Sequence, residues 1–156
     1  GEGLSAHPYR HIPIGDRVHV GKTMLLWQGD PIGRWEGNTL VIDTTNQNGR
    51  PYLDQRGRFY TEEAHLVERM TLVDANTIHY QATVQDDNVF TRPFTIAFAF
   101  RRNTVPNTEV WEESCYEDNL EQMELFRNSG FRVFPGISAA EARALRKAWE
   151  AREAQR

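Results

Sequence analysis

Side chains from Gly33 to Asp43 alternate between apolar and polar about a Gly37-Asn38 pair. That pattern predicts a β-hairpin with a two-residue turn, because both turn residues tolerate positive φ. A two-residue loop pairs Glu36 with Thr39, Trp35 with Leu40, Arg34 with Val41 and Gly33 with Ile42. Paired residues share a face. Trp35, Leu40 and Ile42 therefore point one way, and Arg34, Glu36, Thr39 and Asp43 the other.

The same period of two continues downstream. Residues 65–73 predict a strand, 75–77 a turn, and 78–84 a returning strand in which Ile78, Tyr80, Ala82 and Val84 alternate with His79, Gln81 and Thr83. Asp86-Asp87-Asn88 predicts another turn. Residues 92–101 predict a strong strand with Phe94, Ile96, Phe98 and Phe100 on one face, Pro93 lying near its start or on an edge. A last strand is expected over 109–116. Met24-Leu25-Leu26-Trp27, before Gly29-Asp30-Pro31, reads as a short strand, and 46–58 as a long loop.

Two helices are expected after the strands. The first spans 119–128, with Gly130 ending it. The second starts at Ser138, where Ser138-Ala139-Ala140-Glu141 forms a capping box. Leu145, Ala148 and Trp149 give it an apolar stripe that should pack on the sheet, opposite Arg143, Arg146, Lys147 and Glu150. A basic helix binding a membrane or a partner is the alternative. Strands joined by short turns imply an antiparallel meander. The expected fold is thus mainly β, a lipocalin-like barrel or a strongly curved sheet, because closure would remove sheet edges. The expected division is a β domain over 1–118 and a helical tail over 119–156.

A length of 156 residues suits one core. The net charge of −4 argues against a general nucleic-acid binder, which needs a basic face for phosphates. No apolar run is long enough to span a bilayer. No signal peptide is expected within the chain, and removal of a leader or upstream segment before Gly1 is left open. Cys115 is the single cysteine, which excludes an intramolecular disulfide and a cysteine zinc cluster and reads as a plain buried thiol.

Candidate chemistry lies where polar residues fall on apolar faces. Glu68 shares a face with Leu66, Met70 and Leu72, and Arg92 shares one with Phe94 and Phe98. Burying such charges is costly unless they are paired or functional. Glu68 is therefore read as an acid or base and Arg92 as an anion-binding group, against the alternative of a structural ion pair. The five histidines are His7, His11, His19, His65 and His79. His65 is the preferred acid–base group and His7 a second candidate, since imidazole titrates near neutrality. Pro8 and Pro13 oppose a helix that would align His7 and His11 on a metal, so no metal and no cofactor are expected. His79 should be exposed. Tyr116 and Glu117, at the expected strand-to-helix junction, form a further acid–base pair. Trp27 and Trp35 line an apolar pocket or belong to the core. Gly-x-Ser-x-Gly is absent, which weakens a serine-hydrolase reading.

The run from Trp27 to Asn46 resembles a large bacterial family of uncharacterised proteins, whose pattern reads W-x-G-D-S-x-G-x-W-E-G-D-T-L-V-V-D-T-T-N-F. The likeness extends to His65-Leu66-Val67-Glu68-Arg69, to Thr91-Arg92-Pro93-Phe94, and to His7, Arg10 and Pro13. It brings no settled activity. Family members often carry a secretion leader and an upstream segment that this sequence does not include, and the resemblance implies a periplasmic or exported location. Tyr116 stands where the family has a histidine, so chemistry that needs that imidazole does not carry over.

The leading expectation is a small-molecule enzyme doing acid–base chemistry in a barrel pocket, a lyase, isomerase or hydrolase. His65 and Glu68 would lie near the reacting centre, with Arg92 and Arg10 binding substrate. The rival expectation is a non-catalytic ligand-binding protein, or an accessory subunit that contacts a larger envelope assembly or a second copy through the C-terminal helix.

Overall fold

The computed structural model describes residues 10–53, 57–108, 124–125, 128–130 and 136–155. The chain divides into two compact units. His11–Arg102 and Gly136–Arg156 form one, and Gly1–Arg10 with Asn103–Pro135 form the other. Within the second of these, Asn103 Oδ1 accepts the Val105 N–H and Thr108 donates to the Val105 carbonyl, closing a short turn.

The larger unit is built on five antiparallel strands, β1 (Asp30–Glu36), β2 (Thr39–Thr45), β3 (His65–Asp74), β4 (Thr77–Gln85) and β5 (Phe94–Arg101), paired in chain order. The hairpin has the register that its alternation predicts, from Gly33 opposite Ile42 to Glu36 opposite Thr39. Of the two turn residues only Gly37 takes positive φ, +60°, which is the pattern of a II′ turn. The β3–β4 turn carries a bulge between Leu72 and Asp74.

The meander does not close into a barrel. β1 and β5 are its two ends. The outer edge of β1 is taken by the preceding chain. Gly33 N–H donates to the Pro13 carbonyl at 2.8 Å and Gly15 N–H to the Gly33 carbonyl at 3.1 Å, a parallel bridge that occupies the outward ladder groups at Gly33. The expected strand over 24–27 is not formed either. Leu26 alone bridges to Gln47, and the rest of that run is loop. The expected strand over 109–116 lies outside the described residues, as does most of the helix expected over 119–128.

Burial is uneven. Val41, Ile42, Thr44 and Thr61 are fully enclosed, and Tyr60, Ala64, Ala82 and Val84 pack beside them. β5 is exposed along nearly its whole length. The buried positions thus gather in β2, in the second half of β4 and in residues 60–64, rather than in a closed interior.

Helix α1 (Ala139–Glu153) starts at Ser138 with both bonds of the capping box formed. It joins the sheet unit beside residues 60–64. The Glu62 carboxylate accepts the Ala139 N–H at 2.9–3.0 Å, where the helix dipole favours a negative charge. Arg143 reaches Glu63 and Asn88, and Arg146 donates to the Asp87 carbonyl. Leu145 and Trp149 line a shallow cleft with Phe59 and Val89 and stay more than half exposed. Ala139 and Ala142 are the buried positions, because the helix is held by its first turns and polar partners. No helix among the described residues is long and apolar enough to cross a membrane.

Candidate functional site

Asp43 lies on the polar face of β2, opposite Val67 of β3. Its diagonal neighbour on that face is His65, the first residue of β3. Diagonal neighbours on adjacent strands are within reach of long side chains. His65 Nε2 stands 2.9 Å from Asp43 Oδ2. The second carboxylate oxygen, Oδ1, lies 2.8 Å from His19 Nε2. One carboxylate therefore joins two imidazoles.

His19 comes from the chain that leaves the edge of β1 at Gly15 and folds back over the polar face. Its other ring nitrogen, Nδ1, lies 3.2 Å from Asp30 Oδ2 at the start of β1. A carboxylate only accepts, so His19 makes both contacts as hydrogen bonds only when both ring nitrogens carry hydrogen. Asp30 also accepts the Val20 N–H at 2.9 Å and pairs with the Arg17 guanidinium. The result is a continuous chain, Asp30–His19–Asp43–His65, with the buried Asp30 as its fixed end and His65 as its more exposed end.

Burial pushes the Asp30 carboxyl up, but the Val20 N–H, Arg17 and His19 outweigh it and hold it below its ordinary value. Burial likewise acts upward on Asp43, and the bonds to His65 and then His19 bring it below the ordinary value. Both carboxylates are thereby kept ionised as hydrogen-bond acceptors for the histidines.

Asn46, at the end of β2, fixes the loop beside His19. Its backbone has φ of +60°, which asparagine tolerates better than most residues. Its side-chain amide donates to the Gly21 carbonyl at 2.9 Å and the Met24 carbonyl at 3.1 Å. Thr45 Oγ1 in turn donates to Asn46 Oδ1 at 2.7 Å. The loop forms one wall of a cleft of about 850 Å3, with Glu62–His65 as the other and Thr45 and Asn46 between. His19, Lys22 and His65 all line it. Among the described residues, no three histidine, cysteine or acidic side chains converge on one metal position.

The residues expected from sequence fall in separate places. His65 lines the cleft. Glu68 lies three residues further along β3 and so faces the opposite side, where it is buried and accepts from the Tyr80 hydroxyl at 2.7 Å. His65 and Glu68 are not brought together. Arg92 precedes β5 and is exposed, off the apolar strand face on which the sequence set it. Trp27 is exposed in its loop with the Arg50 guanidinium 5.8 Å from its ring centre, and Trp35 is exposed on the apolar face of β1. Arg10 belongs to the smaller unit. His7, Tyr116 and Glu117 lie outside the described residues. His79 is exposed, as expected.

Sequence reasoning missed Asp43, Asp30, His19 and Asn46. Three of the four lie within the Trp27–Asn46 run, at its only two aspartates and its last asparagine, but nothing in that run sets them beside a histidine. Comparison with family models, curated proteins and solved structures finds no match.

Proposed function

We propose that the protein is a small-molecule enzyme that transfers a proton through His65, of the lyase, isomerase or hydrolase class. The observation that carries this reading is the Asp43 carboxylate on His65 Nε2, with His65 lining an 850 Å3 cleft. An aspartate on one imidazole nitrogen fixes the tautomer and leaves the other nitrogen as the proton acceptor. Here Nε2–H donates to Asp43, and Nδ1 takes the substrate proton. His19 and Asp30 hold Asp43 in place, and Lys22 supplies a positive charge within the same cleft for an anionic substrate group. Glu68 takes no part in this chemistry, because it faces the other side of the sheet.

The test is proton exchange, which reads the proton-transfer step whatever the complete reaction is. Wild type, His65→Ala and His79→Ala are incubated in D2O with a panel of hydroxy acids, keto acids, ketoses and lactones. Deuterium uptake and ring opening are read by mass spectrometry. The reading expects turnover of one class by wild type and His79→Ala, and a loss of about 100-fold or more in His65→Ala. Equal turnover by His65→Ala would overturn it.

A non-catalytic accessory role is the second reading. The exposed Leu145 and Trp149, one turn apart on α1, favour it, since together they make an apolar stripe suited to a partner.

A further inference from the structure

The side of the sheet opposite the histidines carries a row of apolar residues that crosses all five strands. Register places Trp35, Leu40, Met70, Tyr80 and Phe98 in one line, with Leu72, Ile78 and Phe100 in the next and Ile96 flanking them. Tyr80, Phe98 and Phe100 form a ring cluster with centroids 4.9–5.6 Å apart. Yet Trp35, Leu72, Ile78, Ile96, Phe98 and Phe100 remain 37–62% exposed. The one charged residue on these rows and the adjoining Gly33–Ile96 row is Glu68, which is buried and bonded to Tyr80.

We propose that this face binds the same face of a second copy of the chain, giving a two-fold dimer of stacked sheets. Three observations select that occupant. First, the face is self-complementary, as a two-fold contact requires. Among the described residues it is apolar and presents no exposed charge to repel its copy, whereas the other face bears Arg34, Glu36, Arg69 and the histidine–aspartate chain. Second, the area suffices. Large apolar side chains present roughly 150–250 Å2 each, so the six exposed ones offer about 550 Å2 per copy, or about 1,100 Å2 per pair, past the roughly 1,000 Å2 expected of a specific contact. Third, the face is a broad row rather than a hollow. Three clefts of about 360–850 Å3 among the described residues take their lining from elsewhere, and a broad row of this kind suits a second twisted sheet, which packs about 10 Å away, better than a small apolar ligand. Edge-to-edge pairing through β5 would leave the apolar rows uncovered and is not the mode proposed.

This inference is independent of the proton-transfer reading, which concerns the other face. Its test is sedimentation velocity on the full chain from low micromolar to hundreds of micromolar. Phe98→Glu, Trp35→Lys and the opposite-face control Ala99→Glu are measured alongside, with circular dichroism reporting the fold. The wild type and Ala99→Glu should dimerise. Phe98→Glu and Trp35→Lys should each weaken dimerisation about 30-fold or more. Trp35→Lys, on an exposed strand end, covers the case in which Phe98→Glu fails to fold. A monomeric wild type across the range, with the face shielded by its own chain or by nothing, would overturn the proposal. So would a dimer that survives both face substitutions.

Discussion

Asp43 Oδ1 and Oδ2 each face the Nε2 of a different histidine, His19 at 2.8 Å and His65 at 2.9 Å. Those histidines lie 24 residues before and 22 residues after it. The shared carboxylate ties the segment lying over the sheet to the first residue of β3. Asp43→Asn keeps the shape but can accept through only one oxygen, so one histidine contact is lost or turned into a clash of donors. The expected cost is about 1–2 kcal/mol, less than for a fully buried pair because the site is partly open. Urea unfolding measures it, and His19→Gln added to Asp43→Asn should cost little more, since the two residues share one network.

Stability should fall on the acid side. Asp30 and Asp43 are both held below their ordinary value of 3.8. Across that window the unfolded chain binds more protons than the folded one, so stability declines as pH falls. The contribution is complete above about pH 5 and disappears as pH drops through the folded-state values. Thermal unfolding from pH 7 to pH 3 should show this slope, and Asp30→Asn should flatten it.

Gly29 adjoins Asp30 and has φ of +71°. A Cβ there would lie 2.6 Å from the Thr45 carbonyl oxygen, a backbone atom that cannot swing aside. Gly29→Ala should cost about 2–4 kcal/mol through strain and overpacking. Because it also shifts the start of β1, it should weaken the Asp30–His19 contact. Denaturant unfolding gives the first effect, and the His19 imidazole shifts in NMR give the second.

Helix α1 is expected to depend on its first turn. Ser138→Ala removes the N-cap acceptor, and Glu62→Ala removes the carboxylate on the Ala139 amide. Each should cost about 0.5–2 kcal/mol. Hydrogen exchange should quicken through α1 in both variants while β2 and β3 keep their protection. Uniform loss across the sheet would mean that the helix and the sheet unfold as one.

The hairpin and the faces of β2–β5 were legible because a period of two and the Gly37-Asn38 turn determine which residues pair. The opposition of His65 and Glu68 follows from the same rule, since three steps along an extended strand reverse the side chain. The failure to close was not legible. Residues 13–15 meet the edge of β1 at Gly33 instead, an irregular contact with no periodic signature. The histidine–aspartate chain was hidden for a related reason. The irregular stretch between β2 and β3 gives no register across these strands, so nothing in the sequence sets Asp43 diagonal to His65. His19 arrives from a segment without secondary structure. The helix was legible at its cap but not in its packing, because Leu145 and Trp149 have the spacing of a buried stripe and yet lie open.

The central claim is that Asp43 fixes His65 as a proton acceptor at the cleft. Long-range 1H–15N NMR of the imidazole nitrogens tests it most directly. The expected spectrum at neutral pH shows His65 with hydrogen on Nε2 and an unprotonated Nδ1, a pattern that Asp43→Asn disturbs while leaving His79 unchanged. A neutral His65 with hydrogen on Nδ1, or a His65 spectrum indifferent to Asp43→Asn, would contradict the account.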